Sequence, residues 1–560
     1  MRVERSTWLM AGLILVVGGL VVYPLGMIFY GSFWSAPPGA PGHFTLEGYV
    51  EAYADPTIIG TLWTTFWLGA FRTVLATSIA IVFAWLLVRT DLPFKGPIEV
   101  MLWLPFFMPL MPMTMAWILL LSPHYGLVNQ ALKMLPFIDG PVFDVFTYGG
   151  IVWCHLFFST SIRILFIAPA FRRMDASLEE SARMCGARNI TSILRITVPI
   201  LMPSILAAAM LGFIKSLESF EIELLLGGTK GIYVYTTKIY DLVHFEPARY
   251  PPAMALTGVF MVVIFALIFL HRRMIGKREY VTVTGRGFSA RPVSLGRWTK
   301  PVVAMFLVWI AVGMVLPVAT LVLGSFMRYF GLFRGEWFTT LNWTKALGDT
   351  ALLGAIKNTL LLGLGVAIGG ILLYTVLSYV VIKTKVRGRG TLDFITWLPW
   401  AVPGLVLALG ILWAYVGGIR LPFTLYGTLW IMMLAIVVKQ MPVGMRMMSA
   451  SMVQVSKELE ECARVHGASW LYTARRILAP LLRPAFMSVG IIIFMAGVRE
   501  LITVVLLYSP KSRVLSTIML DYWLGDAPGR AVVVGLMIVT LVIIFAIVAR
   551  VLGTRGELGG

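Results

Sequence analysis

The chain has 560 residues, of which 59% are hydrophobic and only 13% are charged. A water-soluble fold of this size could not hide so much apolar surface in a core, so the composition excludes soluble classes and indicates a membrane protein. The net charge of +19 would suit a nucleic-acid binder, but the basic residues concentrate in alternate loops, so no nucleic-acid partner is expected.

Hydrophobic runs recur along the whole chain, and each is long enough to cross roughly 30 Å of hydrocarbon as a helix. They predict an all-α polytopic membrane protein with about 12 transmembrane helices. The first run stays apolar well beyond the length of a secretory signal, so we expect it to remain as an anchor. The predicted spans are 8–32, 61–88, 98–121, 148–169, 200–225, 253–270, 301–325, 355–382, 392–415, 426–446, 484–507 and 531–551.

The distribution of Lys and Arg predicts the orientation. Most of these 46 residues fall in loops on the same side as the N-terminus, and the first loop on the other side, Trp34 to Gly60, has none. The positive-inside rule therefore predicts cytoplasmic N- and C-termini, with contact to lipid headgroups. The three cysteines, Cys154, Cys185 and Cys462, are too scattered for a disulfide framework or a CxxC site, and no metal site is expected.

A charged segment after the fourth predicted span occurs twice. EESARMCGARNITSILRITVPILMP, at 179–203, recurs without gaps as EECARVHGASWLYTARRILAPLLRP, at 460–484. A second pair, WLPFFMP from Trp103 and WLPWAVP from Trp397, also aligns. The repeats predict two homologous six-helix halves, 1–285 and 286–560, which enter the membrane in the same orientation with a pathway at their interface.

Each copy of the repeated segment predicts a short helix on the inner membrane surface, near 175–187 and near 456–468. Gly186 and Gly467 are expected to end these helices, because glycine adopts the left-handed conformation that a helix C-terminus needs. The candidate N-cap residues are Asp175 and Ser456. One such helix alone would be an ordinary interfacial loop, whereas two matched copies favour a shared function.

The pattern E-x-A-x3-G-x12-P in both copies resembles the EAA loop of the membrane subunits of bacterial ATP-binding-cassette importers. In that family the loop forms a coupling helix that sits in a groove of a separate ATPase subunit. The resemblance therefore implies a type I importer transmembrane domain in fused, two-half form. Ser181 and Cys462 stand where the family usually has alanine. The coupling residues that the resemblance implies are Glu180, Ala182, Gly186, Glu461, Ala463 and Gly467.

The chain contains no G-x4-G-K-[ST] phosphate loop. The resemblance thus implies a non-catalytic transport subunit of the bacterial inner membrane that binds no cofactor itself. Its implied partners are two copies of an ATPase subunit, which would carry ATP and Mg, and a periplasmic or lipid-anchored substrate-binding protein. The segments SFEIELLLGG and VRELITVV look most like fused ferric-iron permeases, while thiamine, polyamines, phosphonates and sulfate stay open as cargo.

Several basic residues lie inside predicted spans, where an ionisable side chain indicates function because burying it in lipid is costly. Arg163 and Lys357 are near span ends and are expected to snorkel to the interface. Two interpretations stay open for the others and their acidic neighbours: they line the pathway or its gate, or they hold helices together. Lys215, Glu218 and Glu221 are spaced to share one helical face. The equivalent pair in the second half is Arg499 and Glu500.

The main alternative from another class is a secondary transporter driven by an ion gradient, which could also have twelve spans in two parallel halves. Such a transporter has no use for two matched helices at the cytoplasmic surface. A membrane-embedded enzyme is disfavoured, because the six histidines are scattered without partners at ligand spacing.

Overall fold

The structure is a computed structural model that describes residues 2–175, 177–275, 292–333, 335–418 and 424–557. In these ranges the chain is almost entirely helical, and its extended pairings are isolated bridges. Nine of the described helices are long and apolar enough to span a membrane, or up to 12 if each of three bent pairs forms one span. This confirms the predicted all-α polytopic class.

The described helices follow one another with short connections. The first thirteen are α1 (Arg2–Ser32), α2 (Glu47–Ala54), α3 (Pro56–Arg89), α4 (Lys95–Phe107), α5 (Leu110–Leu121), α6 (Leu127–Leu132), α7 (Tyr148–Arg173), α8 (Ser177–Met184), α9 (Asn189–Ser192), α10 (Val198–Leu217), α11 (Glu221–Gly227), α12 (Tyr235–His244) and α13 (Tyr250–Ile275). The remaining helices are α14 (Thr299–Ile310), α15 (Leu316–Ser325), α16 (Leu341–Leu347), α17 (Thr350–Lys383), α18 (Arg389–Trp397), α19 (Gly404–Leu412), α20 (Leu429–Gln454), α21 (Lys457–Val465), α22 (Trp470–Thr473), α23 (Ala479–Leu481), α24 (Arg483–Arg499), α25 (Leu515–Leu524) and α26 (Pro528–Glu557).

Matched prolines bend the third span of each half. The chain turns by 97° between α4 and α5, and by 111° where the segment Arg389–Ala401 meets Gly404–Gly418. A proline disfavours helical geometry in the residue before it. Accordingly Met108, before Pro109, has ψ 140°, and Val402, before Pro403, has ψ 120°.

The chain folds into two compact units. Unit 1 comprises Met1–Asp55, Ile239–Met261 and Phe338–Gly560, and unit 2 comprises Pro56–Lys238 and Val262–Trp337. These units do not coincide with the sequence repeats. The first helix of each predicted half lies in the unit built mainly from the other half, and the segment Ile239–Met261 of the first half also lies in unit 1. The division into two homologous halves stays a prediction about sequence.

Unit 1 is built around α17, which packs against α20 and α24, with α1 lying along α18 and α19. The approach of α1 to α19 is close at Gly410, where a Cβ atom would lie 2.6 Å from the Pro24 carbonyl oxygen. A second close approach is at Gly31, where a Cβ would meet the Trp413 ring at 2.8 Å. Small residues at these positions are therefore what allows α1 to join this unit.

Unit 2 has α3 and α7 at its centre, with α10 packed against both. The helix α14 belongs to this unit, and its Phe306 is completely buried. The Phe306 ring lies 4.8 Å from the Phe83 ring of α3, and Trp309 lies 5.1 Å from the same ring. An aromatic cluster thus fixes α14 in the core of unit 2.

Candidate functional site

Short helices occupy both copies of the repeated segment. The first is α8 and the second is α21. As the sequence predicts, Ser456 caps the second helix, because its side chain accepts a hydrogen bond of 3.2 Å from the Glu458 backbone N–H. This bond satisfies one of the donors that a helix N-terminus leaves unpaired.

Both helices end at glycines with the same backbone conformation. The φ angle is +85° at Gly186 and +78° at Gly467. Nothing lies within 4 Å of a Cβ built on either glycine, so backbone conformation requires glycine here and space does not. The backbone bonds that close the two turns run from Ala187 N to Ala182 O (3.0 Å) and from Ala468 N to Ala463 O (2.9 Å).

The first glutamate of each repeated segment is buried beneath its helix. In unit 2, Glu179 accepts a hydrogen bond of 2.7 Å from Thr197 and lies 3.7 Å from Arg89 Nε. Arg89 is the last residue of α3, and its guanidinium also donates to the Met174 carbonyl oxygen at 2.8 Å. The side chain of Glu179 therefore ties α8 to the end of a transmembrane helix.

Unit 1 repeats this arrangement with different side chains. Glu460 accepts a hydrogen bond of 2.9 Å from the Tyr379 hydroxyl and lies 3.6 Å from Lys383 Nζ. Lys383 is the last residue of α17 and donates to the Val455 carbonyl oxygen. When the repeats are aligned, Lys383 takes the place of Arg89, and Val455 takes the place of Met174. We call each set of contacts the inner anchor of its helix.

The opposite face of each helix is exposed and partly apolar. Met184 is 89% exposed, and Val465, its counterpart in the repeat, is 84% exposed. A second matched pair, Leu178 and Leu459, is also exposed. The predicted coupling residue Glu461 lies in α21 with its side chain exposed, whereas Glu180 lies in α8 with its side chain outside the described residues. Ala182 and Ala463 are half-buried.

A buried ion pair that the sequence did not predict lies inside unit 2. Arg72 of α3 donates to Glu223 of α11 at 2.7 Å, and both side chains are almost completely buried. Arg72 also donates to the Ser216 carbonyl oxygen at 2.9 Å. His155 Nε2 and the Ser219 hydroxyl contact the same Glu223 oxygen at 3.0 Å and 2.7 Å. These contacts join three transmembrane segments and compensate the buried charge.

The prediction that Lys215, Glu218 and Glu221 share one helical face is wrong. Helix α10 ends at Leu217, and a new helix, α11, begins at Glu221. Lys215 pairs with Glu218 at 2.9 Å. Glu221 instead accepts a hydrogen bond of 2.8 Å from the Met111 backbone N–H, which lies in the first turn of α5. A carboxylate is favoured there, because the first backbone N–H groups of a helix lack partners.

Arg163 does not snorkel to the interface as predicted. Its side chain is buried in the middle of α7 and donates to Thr77 (2.9 Å), Thr73 (3.1 Å) and the Ser159 carbonyl oxygen (2.8 Å). Gly212 of α10 makes room for the guanidinium, since a Cβ there would lie 2.3 Å from Arg163 Nη2. The prediction failed because the span was taken to end at 169, whereas α7 continues to Arg173.

The second half has its own intramembrane pair, formed by Lys439 of α20 and Glu500 at 2.7 Å. Glu500 follows Arg499, the last residue of α24, and also accepts bonds from Thr503 through its backbone N–H (3.0 Å) and its hydroxyl (2.6 Å). Gly404, the first residue of α19, leaves space for the ammonium group, because a Cβ there would lie 2.5 Å from Lys439 Nζ.

These ion pairs leave both sequence interpretations of the intramembrane charges open. Within the described part of the chain, no three His, Cys, Asp or Glu side chains are grouped as metal ligands. Most of the charged residues predicted inside spans hold helices of one unit together. Among the three ion pairs Arg72–Glu223, Lys215–Glu218 and Lys439–Glu500, Lys215 has the most exposed side chain, with 36% of its surface accessible.

Comparison with known proteins relates the chain to transport components of the inner membrane. Residues 374–556 match the profile of the binding-protein-dependent transport system inner membrane component. Over 513 residues the chain is 26% identical to a probable ABC transporter permease of Sinorhizobium fredii, covering 89% of this chain and 88% of that protein. Over 545 residues it is 26% identical to a ferric transport system permease of Actinobacillus pleuropneumoniae, covering 94% of this chain and 76% of that protein.

Relatives with other named cargoes match only part of the chain. A spermidine/putrescine transport system permease of Escherichia coli is 24% identical over 227 residues, which is 40% of this chain and 81% of that protein. The size of the chain and its similarity to these relatives over nearly its full length agree with the size of the fused, two-half form that the resemblance implied. Residues 374–556 thus carry the binding-protein-dependent inner membrane transport component, and nearly the whole chain is similar to fused ABC transporter permeases.

Proposed function

We propose that this permease imports a small solute into the cytoplasm and that two copies of a separate ATPase subunit dock on α8 and α21. The observation that carries the proposal is the matched pair of surface helices. Each is anchored by a buried glutamate and presents exposed apolar residues at equivalent positions. Exposed apolar patches rimmed by polar residues are typical of protein interaction sites.

The inner anchors support a mechanical role for these helices. Each anchor joins its surface helix to the last residue of a transmembrane helix, Arg89 in α3 or Lys383 in α17. A partner that pulls on the surface helix therefore pulls on that transmembrane helix directly. Closure of the ATPase on ATP would move the two helices together and would exchange an inward opening for an outward one.

We propose ferric iron as the cargo, delivered by a periplasmic or lipid-anchored binding protein. Full-length relatives named as ferric transport permeases support this choice. Sulfate and polyamine permeases match a smaller part of the chain, and thiamine and phosphonates stay open as alternatives. Uptake of radiolabelled ferric iron by cells that express the complete system, in competition with each alternative, tests this choice. If the cells take up no radiolabelled iron, or if one of the alternatives abolishes the uptake of iron, ferric iron is excluded as the cargo.

The docking proposal is tested by replacing Glu180 and Glu461 together with alanine. We expect the double variant to insert normally and to lose the ATP hydrolysis that the loaded binding protein stimulates in the wild type. A second variant, Met184→Asp with Val465→Asp, should release the ATPase subunits during co-purification. The matched control is Leu15→Asn, because Leu15 is also exposed but lies on α1.

Two results would overturn this proposal. Wild-type stimulation in the Glu180 and Glu461 double variant would remove the coupling role of these residues. Transport by the purified chain in sealed vesicles, driven by an ion gradient with no ATPase present, would favour a secondary transporter.

The expected stoichiometry is two ATPase subunits for each permease chain, which native mass spectrometry of the complex measures.

A further inference from the structure

An apolar cavity of about 550 Å³ lies in unit 1, beside the inner anchor of α21. Its walls come from three segments: Met10 and Leu13 of α1, Val376 and Tyr379 near the end of α17, and Trp470 at the start of α22. Its floor comes from α24 through Phe486. Most of the lining side chains are apolar, so the cavity suits a hydrocarbon chain better than water.

A larger side chain is buried in unit 2 at the position that corresponds to Leu13. Aligning Pro24 with Pro317, and the GSF sequence that follows each of them, places Leu13 opposite Phe306. Phe306 is completely buried there, with its ring 4.8 Å from that of Phe83. An aromatic side chain is thus packed in the core of unit 2 where, in unit 1, the smaller Leu13 lines a cavity.

Four exposed basic residues adjoin lining residues of the cavity in the sequence, and we call them its rim. Lys385 and Arg387 alternate along the chain with the lining residues Thr384 and Val386. The side chains of Lys385 and Arg387 are both exposed. Two more exposed arginines, Arg475 and Arg476, directly follow the lining residue Ala474. The segments 383–390 and 470–486 contain no Asp or Glu. Such a rim complements a phosphate group, and its apolar interior complements a hydrocarbon chain.

We propose that this cavity binds an anionic phospholipid of the inner leaflet. One acyl chain enters between α1 and α17, and the phosphate is held by the basic rim. Aromatic residues of the wall are placed where Trp and Tyr are enriched in membrane proteins, at the border between hydrocarbon and headgroups. No step of this binding depends on the cargo or on the ATPase.

The bound lipid supports the surface helix through a chain of hydrogen bonds. Trp470 Nε1 in the cavity wall donates to the Tyr379 hydroxyl at 3.0 Å, and that hydroxyl donates to Glu460 of α21 at 2.9 Å. Filling the cavity fixes both aromatic side chains and hence the inner anchor. This regulatory consequence, unlike the binding itself, rests on the proposed docking of an ATPase to α21.

Lipid retention tests the site directly. The full chain is purified in detergent, incubated with equal amounts of dioleoylphosphatidylglycerol and dioleoylphosphatidylcholine, and analysed by native mass spectrometry. We expect the wild type to retain phosphatidylglycerol and Leu13→Phe to lose it, because the ring occupies the cavity as Phe306 does in unit 2. Leu15→Phe is the matched control, since Leu15 is 76% exposed on the same helix and should leave retention unchanged.

A second variant tests the rim without changing the interior. Arg475→Gln with Arg476→Gln should weaken phosphatidylglycerol binding about thirtyfold, because each basic residue near a membrane surface contributes roughly fivefold to the attraction of an anionic lipid. Equal retention of the two lipids by the wild type, or undiminished phosphatidylglycerol on Leu13→Phe, would overturn the proposal. If Leu13→Phe does not fold, the double arginine variant still tests the site, because its two substituted side chains are exposed and their replacement should not disturb folding.

The regulatory arm uses the complete complex in nanodiscs of either lipid. We expect stimulated ATP hydrolysis to be higher in phosphatidylglycerol for the wild type and to lose this dependence in Leu13→Phe. If Leu13→Phe loses lipid but keeps the dependence, the lipid site stands and its link to α21 is wrong. If the wild type shows no stimulation in either lipid, the proposed function fails, while the binding result is unaffected.

Discussion

Two adjacent glutamates in the surface helix α21 face in different directions. In α21, Glu460 turns inward to Tyr379 and Lys383, while Glu461 is exposed. The sequence motif alone does not separate these roles, because both residues are acidic and neighbouring. The family resemblance directs attention to the exposed one. The buried one becomes visible only when the end of α17, far away in the sequence, is placed beside it.

We expect Glu460→Gln to lower the free energy of unfolding by about 3 kcal/mol, because it leaves the buried ammonium of Lys383 without a carboxylate. Thermal unfolding in detergent measures this effect. Glu461→Gln is the matched control, and its exposed position predicts a change within about 0.5 kcal/mol. The double variant Glu460→Gln with Lys383→Met should regain most of the lost stability. Equal stability of Glu460→Gln and Glu461→Gln would contradict the inner anchor.

Gly467→Ala should destabilise the end of α21 by about 1–2 kcal/mol, because an L residue with a side chain is strained at φ +78°. Hydrogen exchange of the Ala468 amide, which bonds to Ala463 O, should become about 5 to 30 times faster. Gly354→Ala in α17 is the control, since it also has open space around its Cβ but a helical backbone, and alanine favours helix there. Unchanged exchange at Ala468 would show that the turn does not need glycine.

The sequence predicted the glycine turns correctly but could not predict the Arg72–Glu223 pair. Glycine conformation is a local property, so the spacing to the end of a helix is enough to predict it. Arg72 and Glu223 are 151 residues apart, and only the folding of unit 2 brings them together. The presence of Arg72 inside a predicted span was the one available signal, since a lone buried cation requires a partner.

At the scale of helices, the matched prolines explain why the third span of each half is bent. The bend at Pro403 brings the start of α19 against Lys439, where Gly404 allows the close approach. Hydropathy predicted these spans as single segments, 98–121 and 392–415. Hydropathy located these spans correctly in the sequence, but it carries no information about a bend within a span.

Gly404→Ala should disturb the pair between Lys439 and Glu500, because the new methyl group would lie 2.5 Å from Lys439 Nζ. We expect a loss of about 1–3 kcal/mol in unfolding free energy, the usual cost of an overpacked buried position. Thermal unfolding measures it, with Gly354→Ala as the control. In a chain that already carries Lys439→Met, Gly404→Ala should lower the unfolding free energy by less than it does in the wild type. An equal loss in both backgrounds would show that the effect comes from the backbone and not from contact with Lys439.

The break after Leu217 shows where periodicity fails. The predicted fifth span ran on to 225, because the residues around it are apolar enough to continue. In the structure the chain leaves the helix at Glu218–Phe220, where Ser219 bonds to Arg72 and Glu223 instead of continuing the helical pattern. Polar side chains that compete for such bonds favour helix ends.

Two matched threonines bind the first residues of later helices. The Thr65 hydroxyl accepts a hydrogen bond from the backbone N–H of Tyr235 in α12 (2.9 Å), and the Thr359 hydroxyl accepts one from the backbone N–H of Leu515 in α25 (2.7 Å).

At the scale of the whole molecule, the repeats in sequence and the compact units in space divide the chain differently. The helix α1 packs with α18 and α19 of the second half, and α14 packs with α3 and α4 of the first half. The repeats are visible in the sequence because they preserve residues. The exchange of first helices was not predictable, because hydropathy identifies a span without identifying its neighbour.

Cutting the chain between residues 285 and 286 tests this organisation. We expect the piece 1–285 alone to be degraded by added protease, because α1 lacks the surface of α19 against which it packs. The piece 286–560 should be sensitive for the same reason, since α14 lacks the core that contains Phe83. Co-expressed pieces should co-purify and resist protease as the intact chain does. Independent resistance of either piece alone would contradict the exchange.

The position of α1 in unit 1 also has a consequence for biogenesis. Its contact surface on α19 begins at Gly404, so it does not yet exist when α1 leaves the ribosome. At roughly 5–20 residues per second, translation of the intervening chain takes about 20–80 s. During that interval α1 must remain in the bilayer without its partner surface, attached to the growing chain, and only lipid or an insertion chaperone can cover it.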